Sequence, residues 1–208
     1  KQKTKNVKVI IGNPPYSAGQ RSENDNAKNV SYSNLDKRIT ESFVRKSSNK
    51  MGKSKAYDSY IRAFRWALDR IGEQGVVAFV SGAGWLDKSF ADGMRNCITN
   101  ECYKIYIINL RGDIRKNILS KGSAKEGENI FGQGSMTPIC ISFLIKNNAN
   151  SENKIYYFDI GDDRKRDEKL SSLNHLKSIK SLINKDLFQI IQPSKKNTWI
   201  NQGDELFQ

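Results

Sequence analysis

Cysteine and histidine are scarce in these 208 residues: Cys97, Cys102 and Cys140 form no Cys-x-x-Cys pair, and His175 is the one histidine. That spacing argues against a zinc site, so no metal is expected, and unpaired thiols fit a reducing compartment. No apolar run approaches the ~18 residues that a membrane helix needs. No basic-then-apolar leader opens the chain, and the expectation is a cytoplasmic protein without a membrane partner. Repeats and low-complexity tracts are absent as well. Acidic residues are outnumbered, 22 Asp and Glu against 35 Lys and Arg. The resulting net charge of +13 is large for this length and points to a polyanionic partner such as nucleic acid.

What is present is enough for one domain with a small appendage: 37% of the residues are hydrophobic. Only four prolines occur, and two of them are adjacent, in Val7-Lys8-Val9-Ile10-Ile11-Gly12-Asn13-Pro14-Pro15-Tyr16. Val7, Val9, Ile10 and Ile11 predict a strand packed on both faces. Gly12 lets the backbone turn, and Pro14 and Pro15 stiffen the corner and remove two N–H donors. Open α/β sheets place ligands at such a carboxyl end. Asn13 and the Pro14 carbonyl are two acceptors, suited to receive the two N–H groups of an exocyclic amine. Such a nitrogen is a poor nucleophile because its lone pair is delocalised into the ring. Two hydrogen bonds would draw it toward tetrahedral geometry and aim the lone pair at a methyl donor. Tyr16 offers a ring on which a base can stack.

Asn13-Pro14-Pro15-Tyr16 after an apolar strand resembles the catalytic signature of S-adenosylmethionine-dependent amino-methyltransferases, chiefly the N6-adenine DNA methyltransferases. The resemblance implies Asn13, Pro14, Pro15 and Tyr16 as catalytic residues, with double-stranded DNA as substrate and the target base flipped out of the stack. The tetrapeptide followed by Tyr57-Asp58-Ser59-Tyr60-Ile61-Arg62-Ala63-Phe64-Arg65-Trp66 also resembles the type ISP restriction–modification polypeptides. The family binds its cofactor with a glycine loop upstream of the corner. No strand, glycine loop and acidic ribose-binding residue precede Val7, and neither Gly82-Ala83-Gly84 nor Gly132-Gln133-Gly134 opens such a unit. Of the cofactor contacts, only Asn13 is therefore expected here. The expectation is the C-terminal part of a larger methyltransferase whose upstream half lies on the same or a separate chain. A circular permutation is the less favoured reading. Two other readings stay open: an RNA or protein-glutamine amino-methyltransferase, and a non-catalytic nucleic-acid-binding remnant.

The expected fold class is α/β, the C-terminal part of a class I (Rossmann-like) methyltransferase sheet. It would have parallel strands, crossover helices and an antiparallel closing strand. Residues 1–146 would form the catalytic half, and residues 147–208 an extension or the start of a target-recognition region. Residues 17–55 are polar and read as a long loop with a weak helical pattern at Leu35, Ile39 and Phe43, and Lys50, Lys53 and Lys55 are candidate DNA-phosphate contacts. A helix over 57–71 carries Tyr60, Ile61, Phe64, Leu68 and Ile71 on one face and stops at Gly72. A strand over 75–80 follows, then a second helix from Trp85 to about Asn100. Strands over 104–110 and 137–145, joined by a glycine-rich basic loop, predict an antiparallel pair. Within that loop, Asn129-Ile130-Phe131-Gly132-Gln133-Gly134-Ser135 resembles the family segment that carries a second base-stacking aromatic, here Phe131. Beyond Asn147 a short strand at 155–158, a solvated charge-alternating stretch at 162–169, one or two helices, an exposed His175 and a Trp199 without clear partner are expected. Isolated, the chain would leave an apolar edge and face open, and it is expected to self-associate or seek a partner that restores the sheet.

Overall fold

The computed structural model describes residues 5–15, 32–49, 53–132, 134–147 and 153–201. Six strands form one sheet: β1 (Val9–Gly12), β2 (Gln74–Gly82), β3 (Lys104–Asn109), β4 (Ile139–Asn147), β5 (Lys154–Asp159) and β6 (Gln189–Ile191). Their spatial order is β1-β2-β4-β3-β5-β6. β1 pairs in parallel with β2, and β3 with β5. β4 runs antiparallel to both β2 and β3, and β6 antiparallel to β5. The reversed strand is therefore inserted in the middle of the sheet rather than closing its edge. Residues after Asn147 continue that sheet through β5 and β6.

Helix α2 (Ser59–Arg70) begins where the Asp58 carboxylate accepts a hydrogen bond from the Tyr60 N–H at 3.4 Å. Its Ile61, Phe64 and Leu68 are at most 1% exposed, and Gly72 ends the turn at φ +65°. The expected helix over 85–100 is two helices, α3 (Gly84–Asp87) and α4 (Asp92–Glu101), separated by an extended Lys88. The break is stabilised by buried Arg95, whose Nη1 donates to the Trp85 and Lys88 carbonyls at 2.8 and 2.9 Å.

Residues 32–49 are not a solvated loop. Helix α1 (Ser33–Ile39) runs into a π-helical turn over Thr40–Val44 and buries Ile39 and Phe43 in the main core. The helical spacing of Leu35, Ile39 and Phe43 is realised here, and its i, i+4 pair Ile39 and Phe43 joins the core beside α4. At Gly93 a Cβ would collide with the Phe43 carbonyl and the Ser47 backbone nitrogen, so only glycine admits this approach. Asp92 fastens the following turn: its carboxylate accepts from both hydroxyls of Ser47 and Ser48 and, at 2.7 Å, from the Ser48 N–H.

One face of the sheet, with Val77, Phe79, Ile105, Ile107 and Leu144, packs on α1, α2, α3 and α4. On the other face, helices α6 (Arg166–Leu176) and α7 (Ile179–Asn184) cover β3 and its neighbours through Leu170, Leu173, Leu176 and Leu182. Two readings of the C-terminal stretch need correction. Trp199 is 3% exposed and meets Trp85 edge-to-face at 5.5 Å, because the tail folds back over α3 and α4. Lys169, in the charge-alternating stretch, is fully buried. His175 is exposed as expected. Among the described residues no helix is long and apolar enough to cross a membrane.

Candidate active site at the carboxyl edge of the sheet

β1 delivers Asn13, Pro14 and Pro15 to the carboxyl edge of the sheet, beside the end of β2. Pro14 is buried, while Asn13 and Pro15 are exposed. Gly12 does not serve the corner through a left-handed conformation, since it is absent from the positive-φ residues. Its role is space: a Cβ there would sit 3.2 Å from the Phe79 ring. Phe79 is held in turn by Phe64 of α2, edge-to-face at 5.1 Å. The corner therefore rests on an aromatic stack rooted in the core. Tyr16 and Lys50 lie outside the described residues. The expectation that β1 is covered on both faces fails, because Val9 and Ile11 are 58% and 79% exposed. Among the described residues β1 lies at the sheet edge, and no helix covers that side of it.

The parallel directions of β1, β2, β3 and β5 bring three further segments to the same edge. The first is the turn after β2, where the Ala83 N–H donates to the Pro138 carbonyl at 2.7 Å. The second is the β3–β4 loop, which holds a short helix, α5 (Ile114–Leu119), that sequence periodicity did not signal. Asn129 organises this loop. Its Nδ2 donates to the carbonyls of Gly112 (3.1 Å) and Thr137 (2.7 Å), and its Oδ1 accepts from the Phe131 N–H at 3.0 Å. Phe131 is thereby presented at 48% exposure beside a cleft of about 570 Å³ lined by Ile114, Asn129, Gly132, Met136 and Arg166. The third segment is the turn after β5. Asp159 and Asp162 there each accept from Arg111 at 2.7 Å. Burial opposes the Arg111 charge, but the hydrogen bonds and negative charges of Asp159 and Asp162 together outweigh it and raise the guanidinium pKa.

Asn13 and the loop that carries Phe131 share this edge, and the strands they follow, β1 and β3, lie three strand spacings apart, about 14 Å at ~4.8 Å per strand. Of the lysine candidates, Lys55 is exposed, with its ammonium 6.0 Å from the Phe90 ring. Lys53 lies in the 3₁₀ turn over Lys53–Tyr57. Local sequence does not signal Asn129 or Arg111 as organisers of this edge, although Asn129 opens the segment that carries Phe131.

The described residues offer S-adenosylmethionine the exposed Asn13 and no glycine cradle. Gly82-Ala83-Gly84 turns into α3 with its central N–H already engaged by Pro138. Among the described residues no His, Cys, Asp or Glu group could hold a metal ion. The thiols are buried, and burial pushes Cys140 and Cys102 up to about 12, so neither is poised as a nucleophile.

A sheet with a reversed strand inserted between parallel ones, and an Asn-Pro-Pro corner at its carboxyl edge, defines a class I methyltransferase-type domain. Comparison with known proteins agrees. Residues 2–115 match the family model described as Eco57I restriction-modification methylase, and the chain belongs to that family. It is similar to the ATP-dependent type ISP restriction-modification enzyme LlaBIII bound to DNA, at 39% identity and a TM-score of 0.89 over 99% of this chain. A nuclease-deletion mutant of the type ISP enzyme LlaGI, in complex with a DNA substrate mimic, matches at 42% identity and 0.85 over 97%. The DrdV–DNA complex matches at 36% identity and 0.81 over 99%. The chain spans 13% of the first of these proteins and 19% of the other two. No curated protein matches it significantly. The chain is thus a restriction-modification methylase domain, similar over nearly its whole length to part of the type ISP enzymes.

Proposed function

We propose that this chain carries the target-amine half of an adenine N6-methyltransferase site acting on double-stranded DNA. The observation that carries the reading is the exposed Asn13 beside a buried Pro14 at the carboxyl end of β1. The Asn13 amide oxygen and the Pro14 carbonyl each accept one N–H of the exocyclic amine, which concentrates the lone pair on nitrogen and aims it. S-adenosylmethionine supplies the electrophilic methyl group when bound. Pro15 keeps the corner rigid and brings no N–H to compete for the amine. Tyr16 and Phe131 stack on the extruded base, and Lys50, Lys53 and Lys55 meet backbone phosphates. A DNA substrate is supported by the +13 charge and by the DNA present with the similar type ISP enzymes.

The cofactor's adenosine and ribose are held by another part of the protein, whose strands and helices cover Val9 and Ile11. On this reading, residues 1–208 alone show no measurable transfer and very weak S-adenosylmethionine binding by calorimetry. In the intact enzyme, Asn13→Ala lowers transfer of a labelled methyl group to a target duplex about a hundredfold or more, while duplex affinity stays within a few-fold. Near-normal transfer by that variant would overturn the assignment. Offering DNA, RNA and protein side by side tests the substrate class.

A further inference from the structure

The helix that follows β5 makes contacts that the proposed chemistry does not use. Lys169 in α6 is 0% exposed, and its Nζ donates to three backbone carbonyls: Leu110 at 2.8 Å, Glu126 at 3.2 Å and Glu128 at 2.6 Å. An ammonium has three donors and no acceptor, so this cradle satisfies it. All three carbonyls belong to the β3–β4 loop. Arg166, three residues earlier, donates its Nε to the Ile130 carbonyl at 3.0 Å and its backbone N–H to the Glu128 carboxylate at 2.8 Å. The turn before α6 adds two backbone bonds, Glu128 N–H to the Arg164 carbonyl and Asp163 N–H to the Lys125 carbonyl, at 3.0 and 3.1 Å. Gly127 permits this approach: it sits at φ +64°, and a Cβ there would lie 2.7 Å from the Arg164 nitrogen.

These bonds stop at the base of the Phe131 turn. Ile130 is held through its carbonyl by Arg166, and the Phe131 N–H is held by Asn129. Burial disfavours the Lys169 charge and lowers its pKa. An apolar side chain would fill the same space without that cost, but it would not fix three carbonyls at one point. The Lys169 cradle therefore has a geometric purpose.

We propose that Lys169 and Arg166 are positioning residues of the transferase site: α6 holds the 126–130 arch so that Phe131 stands against the extruded base, which makes the stretch after β4 part of the catalytic unit. This rests on the reading of Phe131 as a base-stacking residue, and the experiment separates the two. In the intact enzyme, the target adenine of a duplex is replaced by 2-aminopurine, whose fluorescence rises when unstacked and falls when an aromatic ring covers it. Phe131→Ala should raise the emission of the bound duplex. Arg166→Ala and Lys169→Met should shift it the same way and lower kcat about ten- to a hundredfold, with KM for S-adenosylmethionine within twofold. The Arg166 side chain is 48% exposed, so Arg166→Ala serves where Lys169→Met fails to fold. Emission and kcat unchanged in Arg166→Ala, with both altered in Phe131→Ala, overturn the positioning role alone. Wild-type behaviour of Phe131→Ala overturns the stacking reading and the proposal with it.

Discussion

On the face of the sheet that carries α2 and α4, Val77, Phe79, Ile105 and Leu144 are at most 4% exposed. On the opposite face, Val9 and Ile11 are 58% and 79% exposed, although they are the same kind of residue in the same kind of strand. α6 and α7 reach across β5, β3 and β4 as far as Val80 and leave β1 bare. Apolar composition makes a strand fit for burial, but coverage depends on where the chain sends its helices. The sealed face should tolerate little change, whereas the bare one has no packing to lose among the described residues.

The largest effect is expected where the sealed face is closed by the tail. Trp199→Ala removes the ring that packs on Trp85 and should cost about 3–5 kcal/mol in urea unfolding. A loss near zero would make the tail an accessory. Gly93→Ala forces α4 away from the Phe43 carbonyl and should cost about 1–3 kcal/mol by the same measurement.

Acid should loosen the sealed side next. Burial raises the carboxyl pKa of Asp69 and Glu101, but the hydrogen bonds and positive charges of Arg38 and Arg65 at Asp69, and of Arg65 and Lys146 at Glu101, together outweigh it and hold both below their ordinary 3.8 and 4.5. Groups with depressed folded pKa values stabilise the fold above those ordinary values and lose that contribution as pH falls through the folded ones. Circular dichroism should show the melting temperature flat above pH 5 and falling below about pH 4.5. A melting temperature independent of pH down to 3 would sink this account.

In the isolated chain the smallest effect is expected on the bare face. Val9→Lys with Ile11→Lys should change the unfolding free energy of the isolated chain by no more than about 0.5 kcal/mol. The same pair should reduce concentration-dependent association seen by sizing. In the intact enzyme it should destabilise by about 1.5–3 kcal/mol per side chain, because a covered position is being charged. Equal effects in both settings would show that the face is open throughout.

Strands β1 to β5, the core helix α2 and the Asn13–Pro15 corner were legible because each is a local pattern, whereas the three-residue β6 carried no such signal. β-branched runs bounded by turns make strands, 3.6-residue spacing makes a helix, and paired prolines fix a corner. The antiparallel relation of β3 and β4 could also be read, from a connection lacking a full crossover helix. The insertion of β4 between β2 and β3 could not, since strand order depends on pairing energies between distant segments. The same limit hid the burial of Ile39 and Phe43, whose helical spacing could be read but whose partner α4 could not, and it left Trp199 without a visible partner 114 residues from Trp85. Lys169 is the sharpest case. Within its own segment it is one charge among many, and it becomes buried only because Leu110, Glu126 and Glu128 turn their carbonyls to a common point. Local sequence thus determined most of the elements and the Asn13–Pro15 corner, whose conformational preferences are carried by neighbouring residues. Tertiary structure alone decided what covers each element and what holds the loop that carries Phe131, because burial and hydrogen-bond satisfaction are properties of segments brought together from far apart in the chain.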